Sequence, residues 1–188
     1  MKTIRVTLTP QTSKGVKTVT IEQAIKELEK YRDSLQRKSN VFIKRLAEIG
    51  VEAAEERLAK GQGDADRNAR FSMVFNTSEG LVEGRIIITS TPHVDDRGRV
   101  FYPHLAWEFG AGIHFNNGNV NPHAHELGFG VGTFPEQIYA LRDYWWYKDD
   151  AGNLHLSQGT EATMPMYNAS KEIILQVEAI AREVFSEQ

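Results

Sequence analysis

The stretch TIEQAIKELEKYRDSLQRKSNVFIKRLAEIGVEAAEERLAKG, residues 20–61, decides the fold, because it predicts one very long helix in a chain of 188 residues. Thr20 is a good N-cap, and Gln23 three residues later completes a capping-box pattern. Lys60 and Gly61 provide a basic last turn and a C-cap glycine. The apolar residues recur at spacings of three, four and seven and form one amphipathic stripe: Ile21, Ala24, Ile25, Leu28, Tyr31, Leu35, Phe42, Leu46, Ile49, Ala53 and Leu58.

The length of this helix has a consequence for its surroundings. Unbroken, it would measure about 60 Å at ~1.5 Å per residue, and Ser39-Asn40 is the expected place for a bend or a split. Its charges nearly balance, with nine basic and eight acidic residues between 21 and 60, which is typical of a solvated outer face. A small domain cannot cover so long a stripe. We therefore expect part of the stripe to contact another subunit.

The remaining segments predict a small sheet and two further helices. Alternating apolar residues predict strands at 3–9, 69–76 and 81–89, and the last two form a hairpin. The run RIIIT within 81–89 is typical of a strand buried on both faces. A short helix ends at Gly110, and a final helix has Pro165 in its first turn.

This order of elements predicts an α+β fold in a single domain, residues 1–188. We expect a small antiparallel sheet packed by the long N-terminal helix and the C-terminal helix. Residues 110–160 hold eight of the fifteen glycines, and only 144–148 and 153–157 have strand character. We interpret residues 111–160 as a long Gly/aromatic insertion that carries a small β-hairpin, and insertions of this length are usually functional or make contacts.

Composition limits the function classes. The chain has no cysteine, which excludes disulfides, Cys-ligated zinc and a Cys nucleophile. The net charge of −3 gives no basic footprint, so we expect no sequence-specific nucleic-acid partner. No stretch approaches the ~18 apolar residues of a membrane-spanning helix, and the N-terminus lacks the apolar run of a signal peptide, so we expect no membrane partner.

The stretch NPHAHELGFGVGTF, residues 121–134, raises a metal hypothesis. His123 and His125 at i and i+2 would share one face of a strand, with Glu126 beside them, and a zinc-dependent hydrolase could use such a set. His104, Glu108 and His114 are more distant candidate ligands. Pro122 and the glycines after Leu127 instead predict a loop, in which the histidines bond backbone or face solvent. We expect no catalytic residue, no metal and no cofactor.

Aromatic residues crowd into about forty positions of the same region: Trp107, Phe109, Phe115, Phe129, Phe134, Tyr139, Tyr144, Trp145, Trp146 and Tyr147. Consecutive side chains of a strand at 144–147 point in opposite directions, so one side would pack inward and the other outward. An exposed aromatic row serves protein–protein contact or the stacking of sugars and bases. A carbohydrate- or peptide-binding module that uses Trp145 and Trp146 therefore remains an alternative, as does a small core that holds the insertion together.

Three segments together resemble a known family: HLAWEFGAGIH at 104–114, NPHAHELGFGVGTFP at 121–135, and WWYKDDAGNLHLSQGTEATMPMYNASKEI at 145–173. They are similar to the small head–tail joining proteins of long-tailed bacteriophages and prophages, which are neck, tail-completion or minor structural proteins. The resemblance covers roughly residues 40–188. It departs from the family pattern at Ala111, where threonine is common, and at Leu154, where tryptophan is common.

The resemblance implies a non-enzymatic structural subunit that forms a homo-oligomeric ring between the capsid portal and the tail tube. Its partners would be a head-completion or connector ring and a tail terminator or tail tube. It would be made in the cytoplasm of a bacterial host and reside in the neck or tail region of the virion. The expected interface residues are Phe109, His123, His125, Phe129, Trp145, Trp146 and Tyr147.

Overall fold

The computed structural model describes residues 20–60, 69–78, 80–94, 97–112, 121–127, 142–149 and 151–186, with the backbone alone at 93 and 101. The strand predicted at 3–9, the C-cap glycine at 61 and Phe129 lie outside these ranges. The elements are α1 (Ile21–Ala59), β1 (Arg70–Ser78), β2 (Leu81–Thr89), β3 (His93–Val94), β4 (Val100–Phe101), α2 (Pro103–Phe109), β5 (Trp145–Lys148), β6 (Leu154–Ser157) and α3 (Pro165–Ser186). The predicted α+β class, with a long N-terminal helix and a C-terminal helix, is confirmed.

Helix α1 runs without a break through 39 residues, about 58 Å. It begins with the predicted capping box: the amide of Gln23 donates to Thr20 Oγ1 at 3.3 Å, and the amide of Thr20 donates to Gln23 Oε1 at 3.0 Å. Ser39-Asn40 does not split it. Polar residues at one turn do not end a helix when the apolar stripe continues on both sides of them.

The main core lies on the second half of α1, where α3 and β2 pack against it. Leu46, Ile180 and Val184 are buried there, and three partly buried side chains surround them: Phe42, Ile49 and Ile173. Gly50 lies where α1, β2 and α3 meet. A Cβ at this position would lie 2.5 Å from Ile86 Cδ1 and 2.7 Å from Ile173 Cδ1, so the missing side chain is what lets the three elements approach.

The strands form three separate antiparallel pairs among the described residues, namely β1–β2, β3–β4 and β5–β6. The prediction that RIIIT is buried on both faces is wrong, because Ile87 in this run is 40% exposed. Ile86 faces the core near Gly50, whereas its neighbour Ile87 points away. The β-branched run therefore indicates strand preference and not double burial.

Candidate functional site

The carboxylate of Glu108 lies in α2, is 8% exposed and accepts three hydrogen bonds. The amide of Met166 donates to Glu108 Oε2 at 2.8 Å, and the amide of Tyr167 donates to Oε1 at 3.0 Å. These are the second and third residues of α3, whose first amides have no acceptor within the helix. Glu108 thus caps α3 from another helix, and its charge lies at the end of the helix dipole that favours an anion.

Backbone hydrogen bonds join the same two segments. The amides of Thr163 and Met164 donate to the carbonyl of Trp107 at 2.9 and 3.0 Å. Ala111 and Thr160 exchange a pair of backbone hydrogen bonds of 2.8 Å each. The predicted insertion 111–160 therefore begins and ends at one bridge, so its base is closed. Three residues, Trp107, Glu108 and Ala111, thus bond the segment 160–167, and we call this set of hydrogen bonds the α2–α3 joint.

A third segment, residues 121–127, is attached to this joint. Asn121 is 5% exposed, and its Nδ2 donates to Glu108 Oε1 at 2.6 Å while its Oδ1 accepts from the amide of His123 at 2.9 Å. The ring of His123 packs on that of Tyr167 with 5.8 Å between centroids, and its Nδ1 bonds Glu126 Oε2 at 2.9 Å. Residues 122–127 form turns, as the loop prediction required.

The electrostatics of the joint follow from burial. Burial raises the pKa of the Glu108 carboxyl, against the three hydrogen bonds that lower it. Burial also lowers the pKa of His104, one turn earlier in α2. A cavity of about 380 Å³ lies between these groups and is lined in part by His104, Glu108, Asn121 and Tyr167. Both oxygens of Glu108 accept hydrogen bonds, so the carboxylate holds the start of α3 and the side chain of Asn121 in place.

Ser90 and His104 form a pair that a search for catalytic dyads would select. A hydrogen bond of 2.8 Å joins Ser90 Oγ to His104 Nδ1, and the amide of His104 donates to the same hydroxyl at 3.5 Å. The hydroxyl thus bonds the first turn of α2, where the N-cap Tyr102 makes no side-chain cap. Ser90 does not line the cavity. The arrangement positions α2, in the same way that Glu108 positions α3.

The predicted interface residues differ in exposure. Phe109 is 5% exposed, so its assignment to an intermolecular surface is wrong, and it packs inside the chain because α2 turns that side of the helix inward. Trp145 is half-buried over Gly112, where a Cβ would lie 3.2 Å from its ring. Trp146 and Tyr147 are 58% and 49% exposed, and His123 and His125 are exposed.

The described residues contain no group of three or more His, Asp or Glu side chains placed to hold an ion, so they supply no ligand set for the metal hypothesis. His123 bonds Glu126 and its ring contacts that of Tyr167 at a tilted angle, and Ala124 between the two histidines is buried.

On one side of the β5–β6 hairpin Trp145 packs over Gly112, although Tyr147 and His155 on that side are exposed, and the other side faces solvent. Its register pairs Trp146 with Leu156 and Lys148 with Leu154, so alternate residues share the solvent side. Four large side chains there are each more than half exposed: Tyr144, Trp146, Leu154 and Leu156. We call these four the hairpin outer face.

A hydrogen-bonded turn stabilises this hairpin. Asp149 Oδ1 accepts from the amide of Asn153 at 2.8 Å, and Oδ2 accepts from Asn153 Nδ2 at 3.0 Å and from His155 Nε2 at 2.9 Å. The bond with His155 is the largest cause that lowers the pKa of Asp149, to about 2. Tyr147 stacks on His155 across the strands at 5.4 Å.

The first half of α1 also exposes an apolar surface. Five side chains of the predicted stripe are 41% to 68% exposed, and we call them the α1 seam: Ile21, Ile25, Leu28, Tyr31 and Leu35. The stripe continues from the seam into Phe42, whose ring meets that of Phe185 at 5.7 Å, near the end of α3. Coverage of the stripe by α3 therefore stops where α3 ends.

The sequence pattern indicates Glu108 only as a distant candidate metal ligand, and it indicates neither the capping role of this residue nor a role for Asn121. One signal was available. Pro165 predicts the start of a helix, but the residue before it is Met164, which has no side-chain oxygen to cap the amides. A helix that lacks a local cap and begins inside the chain needs an acceptor from elsewhere.

Among the residues that the structure describes, no helix combines the length and apolar character that crossing a bilayer requires. Comparisons of this chain with protein-family models, with curated proteins and with solved structures gave no match.

Proposed function

We propose that this chain is a structural subunit of a phage or prophage-derived particle and that it forms a ring at the head–tail junction, as a neck or tail-completion protein. The observation that carries the proposal is the presence of two separate exposed apolar surfaces, the α1 seam and the hairpin outer face. Contiguous apolar patches of this kind mark interaction surfaces on otherwise polar proteins.

The segments that carry the family resemblance also make contacts that hold the fold together. The WEFGAG segment at 107–112 supplies Glu108 and the carbonyl of Trp107, which bond the segment around Pro165 that opens α3. The aromatic segment supplies Trp145, which covers Gly112. These residues build a subunit, and a structural role accounts for them without any catalytic step.

A closed ring requires each subunit to present two different surfaces, because a head-to-tail interface joins one patch to another. The α1 seam and the hairpin outer face lie on different elements and are chemically suited to that use. In the proposed ring, the hairpin outer face would contribute Trp146, whereas Tyr147, His123 and His125 are exposed elsewhere on the subunit.

The proposal is tested in a phage whose copy of this gene is deleted. We expect filled heads and free tails to accumulate unjoined, and a plasmid copy of the wild-type chain to restore infectious particles with the protein at the neck by immunogold electron microscopy. A Trp146→Ser/Leu156→Ser variant, which is changed only on the hairpin outer face, should fold but not restore joining. Normal particles without the protein would refute the proposal.

A further inference from the structure

We infer that, in the assembled ring, the hairpin outer face of one copy packs on the α1 seam of the next copy. This inference rests on the proposed function and names the two surfaces that meet. The seam needs a partner because it continues an interface that the chain already uses. Phe42 and Leu46 of the same stripe are covered by α3, and the seam begins where that cover ends at Phe185.

The hairpin outer face is an apolar surface on a two-stranded pair, which is the kind of element that α1 already packs against. A two-stranded pair already packs on α1 within the chain, since a Cβ at Gly84 of β2 would lie 2.7 Å from Ile43 Cγ2 and one at Gly50 would lie 2.5 Å from Ile86 Cδ1. The proposed contact repeats this helix-on-hairpin packing further along the same helix. In place of β1–β2, it uses the second hairpin of a neighbouring copy.

The charges near the two surfaces are compatible with this pairing. Lys148 follows Trp146 on the solvent side of β5 and is exposed opposite Leu154. The residues that directly follow seam side chains carry both signs: Glu22 and Glu29 are acidic, and Lys26 and Arg32 are basic.

The size of the two surfaces explains why the contact would be weak for a single pair. With about 150–250 Å² per large aromatic side chain, each partly exposed face offers on the order of 400 Å². One pairing then covers about 800 Å² in total, less than the roughly 1,200–2,000 Å² of stable complexes. Closure of a ring adds a second such contact for every copy, so assembly is favoured when a neighbouring ring gathers the subunits.

The absence of cysteine from the chain allows a direct test by cross-linking. Full-length Leu28→Cys and Leu156→Cys proteins are prepared separately, mixed, and treated with a short bismaleimide, and dimers are read on a denaturing gel. Both positions are exposed, so the substitutions leave the core intact. We expect cross-linked dimer in the mixture and little in either variant alone, because the contact joins two different surfaces.

Leu175→Cys is the matched control, since Leu175 is a leucine of α3 that is 70% exposed and belongs to neither surface. Mixed with either variant, it should give no more dimer than random collision does. Equal dimer in these control mixtures, dimer from Leu28→Cys or Leu156→Cys alone, or no dimer in the paired mixture would each overturn the inference. Rings seen in the neck without the paired cross-link would overturn the inference and leave the proposed function intact. Absence of the protein from the neck would overturn the proposed function itself.

Discussion

The two halves of α1 have the same apolar period but different surroundings. In the second half, Leu46 is 7% exposed and lies against α3, whereas in the first half Leu28 is 66% exposed. A repeating apolar pattern therefore predicts that a helix forms and which side is apolar. It does not predict what covers that side, because the cover comes from chain segments far away in sequence or from another molecule.

The β5–β6 hairpin repeats this contrast over a shorter distance. Trp145 lies over Gly112 on the inner side, and Trp146 is 58% exposed on the outer side. In both elements the covered side belongs to the fold and the uncovered side belongs to the proposed assembly. Substitutions on the two sides should therefore affect stability very differently.

The largest effect is expected from truncating a covered leucine. Leu46→Ala should lower the free energy of unfolding by about 2–5 kcal/mol, because it leaves a cavity between α1 and α3. Leu28→Ala should cost no more than about 0.5 kcal/mol, as for most exposed positions. Both changes are Leu to Ala within one helix, so the helix-propensity term cancels in the comparison. Urea unfolding followed by circular dichroism measures both, and equal costs would mean that the seam is covered within the isolated chain.

Much of this architecture could be predicted because its signals are local. The Thr20–Gln23 capping box, the apolar period of α1 and the turn-flanked strands β1–β2 and β5–β6 are each contained within a few residues. The short β3–β4 pair could not be predicted, because two-residue strands carry no period in the sequence.

The α2–α3 joint could not be predicted, because the hydrogen bonds of Glu108 join residues that are separated by 58 or 59 positions in the sequence. The exposure of individual aromatic side chains could not be predicted either. Alternation in the segment 144–147 predicts that Trp145 and Trp146 face opposite ways, but only the position of Gly112 decides which of them is covered. Phe109 was predicted to lie in an interface because the sequence of a short helix does not show whether its aromatic residue is buried or exposed.

The second-largest effect is expected at the cap that holds α3 on the covered half of α1. Glu108→Ala removes the acceptor of the amides of Met166 and Tyr167 and of the Asn121 side chain, and should cost about 1–3 kcal/mol. Glu52→Ala, at an exposed glutamate of α1, is the control and should change little. Unfolding in urea measures both, and a tolerated Glu108→Ala would show that α3 is held by its apolar side alone.

The same glutamate has a pH signature of defined sign. Burial raises the pKa of Glu108 in the folded chain, so the folded state holds this proton more tightly than the unfolded state. Its contribution to stability is therefore greatest below the unfolded pKa and decreases as pH rises through the folded pKa. The stability of the wild type relative to Glu108→Gln should fall over that interval in urea melts at several pH values. A rise would contradict the direction of the shift.

A smaller effect should separate the inner side of the hairpin from its turn. Gly112 and Gly152 both have φ of 85°, so alanine at either position costs about 1 kcal/mol in backbone strain. A Cβ at Gly112 also meets the Trp145 ring and the carbonyl of Gln158 at 3.2 Å, whereas Gly152 has nothing within 4 Å. Gly112→Ala should therefore cost more and shift the NMR signal of the Trp145 indole. Equal costs and an unmoved indole signal would mean that the inner side is not packed.

The smallest effect concerns the turn that supports the outer face. Hydrogen bonds from His155 and then Asn153 hold the pKa of Asp149 at about 2, below its ordinary 3.8. Because the folded pKa is the lower one, the contribution of this carboxylate to hairpin stability is present above the ordinary value and is lost as pH falls from about 4 to about 2. His155→Ala should raise the pKa of Asp149 toward its ordinary value, as read from the side-chain carboxyl signal in an NMR titration. His125→Ala, an exposed histidine outside the hairpin, should leave that titration unchanged. If His155→Ala also left it unchanged, the turn would not depend on this bond, and the hairpin outer face would be held by Trp145 and the Ala111–Thr160 bridge instead.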